Sequence, residues 1–132
     1  MKEVVGLFVA MVAAVSLSAC GGQAAIEGNV GEVVDQCQSV KAGATPTVEV
    51  TGYVIDGMVT QGERDDGTLY AGAWLCDSSD FEDEAVCINF GQTDQETIDQ
   101  INESNRVTVR GTVYGIESDL VFLEDCELVS AE

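Results

Sequence analysis

Sulfur and carboxylate are the side-chain chemistries this sequence offers in quantity. Its 132 residues hold 5 cysteines and 24 aspartates and glutamates, and no histidine. The commonest general acid–base group is therefore missing. Carboxylates this abundant do not single out a reacting pair, and a glycosidase-like couple would need a concave site that so small a domain has little room to form. We expect no enzyme activity. Cys37, Cys76, Cys87 and Cys126 are widely spaced and contain no C-x-x-C. Without histidine a metal site is a poor fit, and an even set in a small exported domain normally forms disulfides. Two bridges are expected, with the spacing alone leaving three pairings open.

The fifth cysteine, Cys20, stands apart. It closes the tetrapeptide Leu17-Ser18-Ala19-Cys20 and is followed by Gly21 and Gly22. Small residues before a cut and a thiol after it match a bacterial lipobox, where the cysteine is diacylated and becomes the new N-terminus. Val4 to Ala19 is almost wholly apolar, broken by Gly6, Ser16 and Ser18, with Lys2 as a minimal positive start. That run is short for a spanning helix, which needs roughly 20 apolar residues, and suits a signal peptide over 1–19. Each buried acyl methylene contributes ~0.8 kcal/mol, so two chains hold firmly where one holds marginally. The expected location is the cell envelope, lipid-anchored through Cys20. Gly21, in place of an aspartate, favours the outer membrane, facing periplasm or cell surface, if the cell is Gram-negative.

Two further groups could bind a ligand. The segment Asp77-Ser78-Ser79-Asp80-Phe81-Glu82-Asp83-Glu84 carries Asp77, Asp80, Glu82, Asp83 and Glu84. Calcium takes about six to eight oxygen ligands, carboxylates included, so this loop is a candidate calcium site, though it lacks the spacing of a helical calcium loop. A solvated acidic loop is the other reading, and no resident cofactor is expected. Tyr70 and Trp74 lie four apart on a strand-like run and so share a face. Such rings serve as a ligand platform or as packing, while Leu69, Ala71, Ala73 and Leu75 occupy the opposite face.

After position 19 four basic residues, at 41, 64, 106 and 110, face twenty-three acidic ones, which leaves the net charge at −19. Binding a phosphate backbone draws on Lys and Arg, so nucleic acid is an unlikely partner. The acidity serves solubility, as in a salty habitat, or draws cations or a basic partner.

The elements that position these groups read as one β-rich domain over 30–132, after a flexible leader at 20–29. Val33, Val34, Cys37 and Val40, within Val30–Val40, recur at helical spacing and predict a short amphipathic helix there, ending near Gly43. From Thr47 the period becomes two. Strands are expected from Thr47, over Thr68–Cys76, Ala85–Gly91 and Arg106–Ile116, and over Leu120–Val129. The sequence Thr93-x-x-Glu96 suggests a capping box opening a helix with Ile98 and Ile101, closed by a left-handed Asn105. The pattern Val48-x-Val50-x-Gly52-x-Val54 recurs as Val107-x-Val109-x-Gly111-x-Val113. Mid-strand glycines commonly mark bulges or barrel corners. Five strands with a helix between the third and fourth give the order of a five-stranded OB-fold barrel.

Arg106-Val107-Thr108-Val109-Arg110-Gly111-Thr112-Val113, and Phe122-Leu123-Glu124-Asp125-Cys126-Glu127-Leu128 after a turn, are similar to the end of the tRNA_anti-like group of OB-fold proteins. Val48–Val54 and Val86-Cys87-Ile88-Asn89-Phe90 resemble its first and third strands. The likeness covers about 46–129. Where the group often has Gly-Asp or Gly-Lys before the fourth strand, this chain has Ser104-Asn105. Many members are small bacterial lipoproteins, largely uncharacterised, so the resemblance implies fold more than activity. The implied barrel sets the third strand beside the fifth and favours Cys87–Cys126 together with Cys37–Cys76. The competing set is Cys76–Cys87 with Cys37–Cys126. The expected role is a binding or structural module contacting an envelope protein or glycan, with a calcium-responsive acidic module as the alternative and single-stranded nucleic-acid binding third.

Overall fold

The computed structural model describes residues 24–132, so the expected signal peptide over 1–19 and the expected lipidation at Cys20 lie outside the described residues. Nine elements follow one another: β1 Ile26–Asn29, α1 Val30–Cys37, β2 Thr47–Val54, β3 Thr60–Glu63, β4 Leu69–Cys76, β5 Ala85–Thr93, α2 Gln95–Glu103, β6 Arg106–Glu117 and β7 Leu120–Ala131. The strands make one mixed seven-stranded sheet in the order β1-β2-β6-β7-β5-β4-β3, and a further β2–β4 pairing closes its inner five strands into a ring. All ring contacts are antiparallel except β5 with β7, where Ala85 to Ile88 run parallel to Leu120 to Leu123.

The ring closes narrowly. β2 meets β4 only through Tyr53 opposite Cys76 and Val54 opposite Leu75. The earlier part of that β2 edge is covered by β1, whose Ile26 to Asn29 run parallel to Val48 to Thr51. β3 covers the corresponding part of β4, Leu69 to Gly72. Residues 26–29 are therefore a structural strand, not the flexible leader expected over 20–29. Their backbone groups have partners in β2, and Ile26 is buried.

Alternation places Val48 and Val50 of β2, Leu75 of β4, Ile88 and Phe90 of β5, Val107, Val109 and Val113 of β6, and Val121 and Leu123 of β7 in one core. Val30, Val33, Val34 and Cys37 of α1 and Ile98 and Ile101 of α2 join it. Fully burying one such aliphatic side chain is worth about 1.5–3 kcal/mol, and no charged or polar residue is buried among the described residues. The two matching glycines sit where the wall admits no side chain. A Cβ on Gly52 would come within 2.8 Å of Val30 Cγ2, and one on Gly111 within 2.6 Å of Cys126 Sγ. The β6–β7 register shifts between Arg110 and Thr112, so Gly111 does lie at a bulge.

The element ends differ in instructive ways. α1 stops at Cys37, not near Gly43, and begins with a capping box in which Asn29 accepts from Glu32 N–H and Glu32 accepts from Asn29 N–H. α2 is capped by Asp94, which accepts from Thr97 N–H at 2.8 Å, in place of the expected Thr93–Glu96 box. Asn105 is not left-handed, because its N–H donates to Glu132 O and its carbonyl accepts from Val54 N–H, holding it in the sheet. β3 falls between the strands expected from Thr47 and over Thr68–Cys76, where none was expected, and is turned back through Asp66-Gly67. Asp66 accepts from both the N–H and the hydroxyl of Thr68, and these bonds hold its carboxyl below the usual range. Among the described residues no helix is long and apolar enough to cross a membrane.

Candidate functional site

Along β4, Ala71, Ala73 and Leu75 point into the core, which turns Tyr70, Gly72 and Trp74 outward. Tyr70 and Trp74 share that face, about 13 Å apart along the strand at 3.3 Å per residue. They join different neighbourhoods. Tyr70 lies over β3, its hydroxyl 2.5 Å from where a Cβ of Gly62 would stand, with the Arg64 guanidinium 5.1 Å from its ring centroid. Trp74 pairs across the ladder with Cys87 and meets Phe122 of β7 edge-on at 5.7 Å. Phe81, from the acidic loop, closes on the same indole at 6.3 Å. Tyr114 of β6 stands 6.0 Å from Phe122.

The outcome is a row of four rings, Phe81–Trp74–Phe122–Tyr114, on the outside of the ring of strands. Edge-to-face aromatic pairs contribute ~0.5–1.5 kcal/mol beyond area burial, and the two contacts of Trp74, with Phe81 and with Phe122, are of this kind. Its two ends are open: Phe81 is 52% and Tyr114 53% exposed. Asn89 fixes one end, its Nδ2 donating to Tyr114 Oη at 3.3 Å and to Leu123 O at 3.1 Å. Sequence reasoning found Tyr70 and Trp74 and missed Phe81, Tyr114 and Phe122. The signal for two of them was present, since Tyr114 and Phe122 occupy the outward phase of their strands.

The acidic loop is divided in its roles. The Asp77 carboxylate accepts the N–H groups of Val30 at 2.9 Å and Gly31 at 2.8 Å, capping α1. Ser78 Oγ donates to the Asp80 carbonyl. Asp77, Asp80, Glu82, Asp83 and Glu84 are exposed, and no three potential ligands converge among the described residues.

The four cysteines among the described residues are free thiols in this structure, so neither Cys37–Cys76 nor Cys87–Cys126 is bridged in it. Geometry separates each pair. Cys76 precedes Asp77, at the N-terminus of α1, whereas Cys37 ends that helix seven residues on, about 10 Å at 1.5 Å per residue. Cys87 faces outward beside Trp74, whereas Cys126 is buried against Gly111. Burial pushes the thiols of Cys37, Cys76 and Cys87 above their ordinary value and carries Cys126 up to about 12. Thiols held neutral in this way are poor nucleophiles.

Three of the basic groups are engaged within the chain. Arg110 donates to Glu49 Oε1 at 2.6 Å, Arg106 stands 5.9 Å from the Tyr53 ring centroid, and Arg64 covers Tyr70.

No family model matches this chain, and no curated protein matches it. Among solved structures it is similar to a lipoprotein from Klebsiella pneumoniae subsp. pneumoniae that is provisionally described as nucleic acid-binding. The identity is 22%, the TM-score 0.44, and the match covers 64% of this chain and 70% of that one.

Proposed function

We propose that this chain is a lipid-anchored envelope module with an OB-type barrel, which binds a partner without transforming it. Five ring strands, a parallel contact between the third and fifth, and a helix between the third and fourth support the OB-type reading. The Leu17–Cys20 sequence supports anchoring through Cys20. The observation that carries the binding role is the outward row Phe81–Trp74–Phe122–Tyr114, ordered by its own contacts and open at both ends.

A ring row so ordered offers flat apolar area to sugar rings or to the apolar side chains of another envelope protein at little entropic cost. Single-stranded nucleic acid also stacks on aromatic rings, but it needs a basic groove beside them. Here Arg64, Arg106 and Arg110 are turned onto Tyr70, Tyr53 and Glu49 in a chain of net charge −19.

The test is titration of the purified protein with envelope glycan fragments and with solubilised envelope proteins, read by Trp74 emission. Saturable change is expected with one of these two classes, and loss of that change in a Phe81→Ala, Tyr114→Ala double variant whose melting is unaltered. An emission indifferent to both classes removes the reading. Metabolic labelling with palmitate tests the anchor separately.

A further inference from the structure

We propose that the end of the barrel formed by the α1–β2 loop and the last part of β6 lies against the membrane to which the chain is tethered. This rests on the anchoring at Cys20 proposed above. A cavity of about 330 Å³ opens at this end, lined among others by Cys37, Val40, Lys41, Ala42, Tyr114 and Ile116. Among the described residues that line it there is no carboxylate. That is a conspicuous gap in a chain with twenty-three acidic residues beyond position 19, and the gap holds Lys41, the only lysine beyond that point.

The tether arrives at the same end. Ala25 N–H donates to Thr47 O at 3.0 Å, two residues from Thr45 in the cavity wall, and Val113 N–H donates to Pro46 O at 3.0 Å. Five residue steps separate Cys20 from Ala25, a reach of at most about 18 Å when fully extended. A lipid on Cys20 therefore keeps this end close to the bilayer, whatever rotation the tether permits.

Charge then selects the orientation. Anionic lipid gives a bilayer a negative surface potential that attracts Lys and Arg and repels carboxylates. Turning the carboxylate-free cavity wall with Lys41 inward, and most of the chain's carboxylates away, lowers the repulsion from such a surface. Residues 41–45 are exposed and consist of lysine, alanine, glycine and threonine, with half-buried Val40 before them. Tyr114, 53% exposed, supplies the amphipathic ring favoured at a lipid interface. The nearest carboxylates along β6 and its turn are Glu117 and Asp119, past the cavity wall. In this orientation Phe81, at the far end of the aromatic row from Tyr114, stays accessible to a partner in solution.

The experiment uses the acylated protein in vesicles of phosphatidylethanolamine and phosphatidylglycerol, a portion of them with brominated acyl chains. A tryptophan reporter is placed by Ala42→Trp in a Trp74→Phe background, and Trp74 itself is read in the protein with neither change. The expected result is a blue-shifted Ala42→Trp emission quenched by bromine, an unquenched Trp74, and loss of the quenching on adding Lys41→Glu. If Ala42→Trp impairs folding by circular dichroism, Tyr114→Trp is read in its place.

Acylated protein that floats with the vesicles while its reporter is neither shifted nor quenched overturns the orientation and leaves the anchor standing. A blue shift that grows with protein concentration, without bromine quenching, indicates a second copy on this face and also overturns it. An N-terminal peptide of unacylated mass overturns the anchor, and the orientation with it.

Discussion

The carboxylate of Asp77 accepts the backbone N–H of Val30, 47 positions away in sequence, at 2.9 Å, and that of Gly31 at 2.8 Å. One side chain from the loop after β4 thereby satisfies two of the open amides at the start of α1 and sets a negative charge at its positive dipole end. The acid most readily taken for a cation ligand is a helix cap.

Replacing Asp77 by alanine should lower stability by about 1–2 kcal/mol, with asparagine recovering part of that, as expected for a cap. Urea unfolding monitored by circular dichroism measures both. Calcium added to the unaltered protein tests the other role of this loop, because a ligand that binds only the folded state raises the melting temperature.

Gly111 and Cys126 occupy one space. A Cβ on Gly111 would stand 2.6 Å from Cys126 Sγ and 3.1 Å from the Glu124 carbonyl. Gly111→Ala should cost about 1–3 kcal/mol through overpacking. Cys126→Ala should relieve part of that cost, giving a favourable coupling energy of order 1 kcal/mol in a double-mutant cycle. Strict additivity of the two substitutions would refute the shared-space account.

Ile26 belongs to the core. Its side chain is 7% exposed and its strand is paired with β2. Ile26→Ala should therefore destabilise the domain by roughly 2–4 kcal/mol, whereas a residue of a free leader would cost nothing measurable. Denaturant midpoints decide between them.

The thiols make stability fall in alkali. Burial raises Cys126 to about 12 from an ordinary 9.0. Its folding contribution is complete below pH 9, where both states hold the proton. Above that the unfolded chain loses its proton first, and stability should drop by up to about 1.4 kcal/mol per pH unit for this group until the folded thiol titrates. Cys37, Cys76 and Cys87 shift the same way. Iodoacetamide should accordingly modify Cys126 far more slowly in the folded protein than in urea, which peptide mass mapping reports.

Much of the fold was legible because β alternation is unusually clean. The Val-x-Val-x-Gly-x-Val pattern located β2 and β6 and aimed both glycines inward, and the helical spacing of Val33, Val34 and Cys37 located α1. Most of the missing pieces depended on contacts distant in sequence. β1 is too short and glycine-bearing to announce itself, and exists because β2 has an edge to cover. Asn105 took its conformation from Glu132 and Val54, whereas Asp94 was a local signal passed over, since it caps Thr97 three residues on. The cysteine pairings followed strand adjacency, which brings backbones together without fixing which face each thiol occupies. The ligand face was half visible for the same reason: Tyr70 and Trp74 share one strand, while Phe122 and Tyr114 reach Trp74 only after three other strands are aligned.

The seam between β2 and β4 has a consequence for how this molecule fails. Two residue pairs close the circle, and the four residues of β1 cover the rest of that edge of β2. A protease clipping just before Val30 would strip away that cover and bare a row of valine-lined backbone. The trimmed product should be prone to zip onto its neighbours, so β1 also guards the protein's solubility.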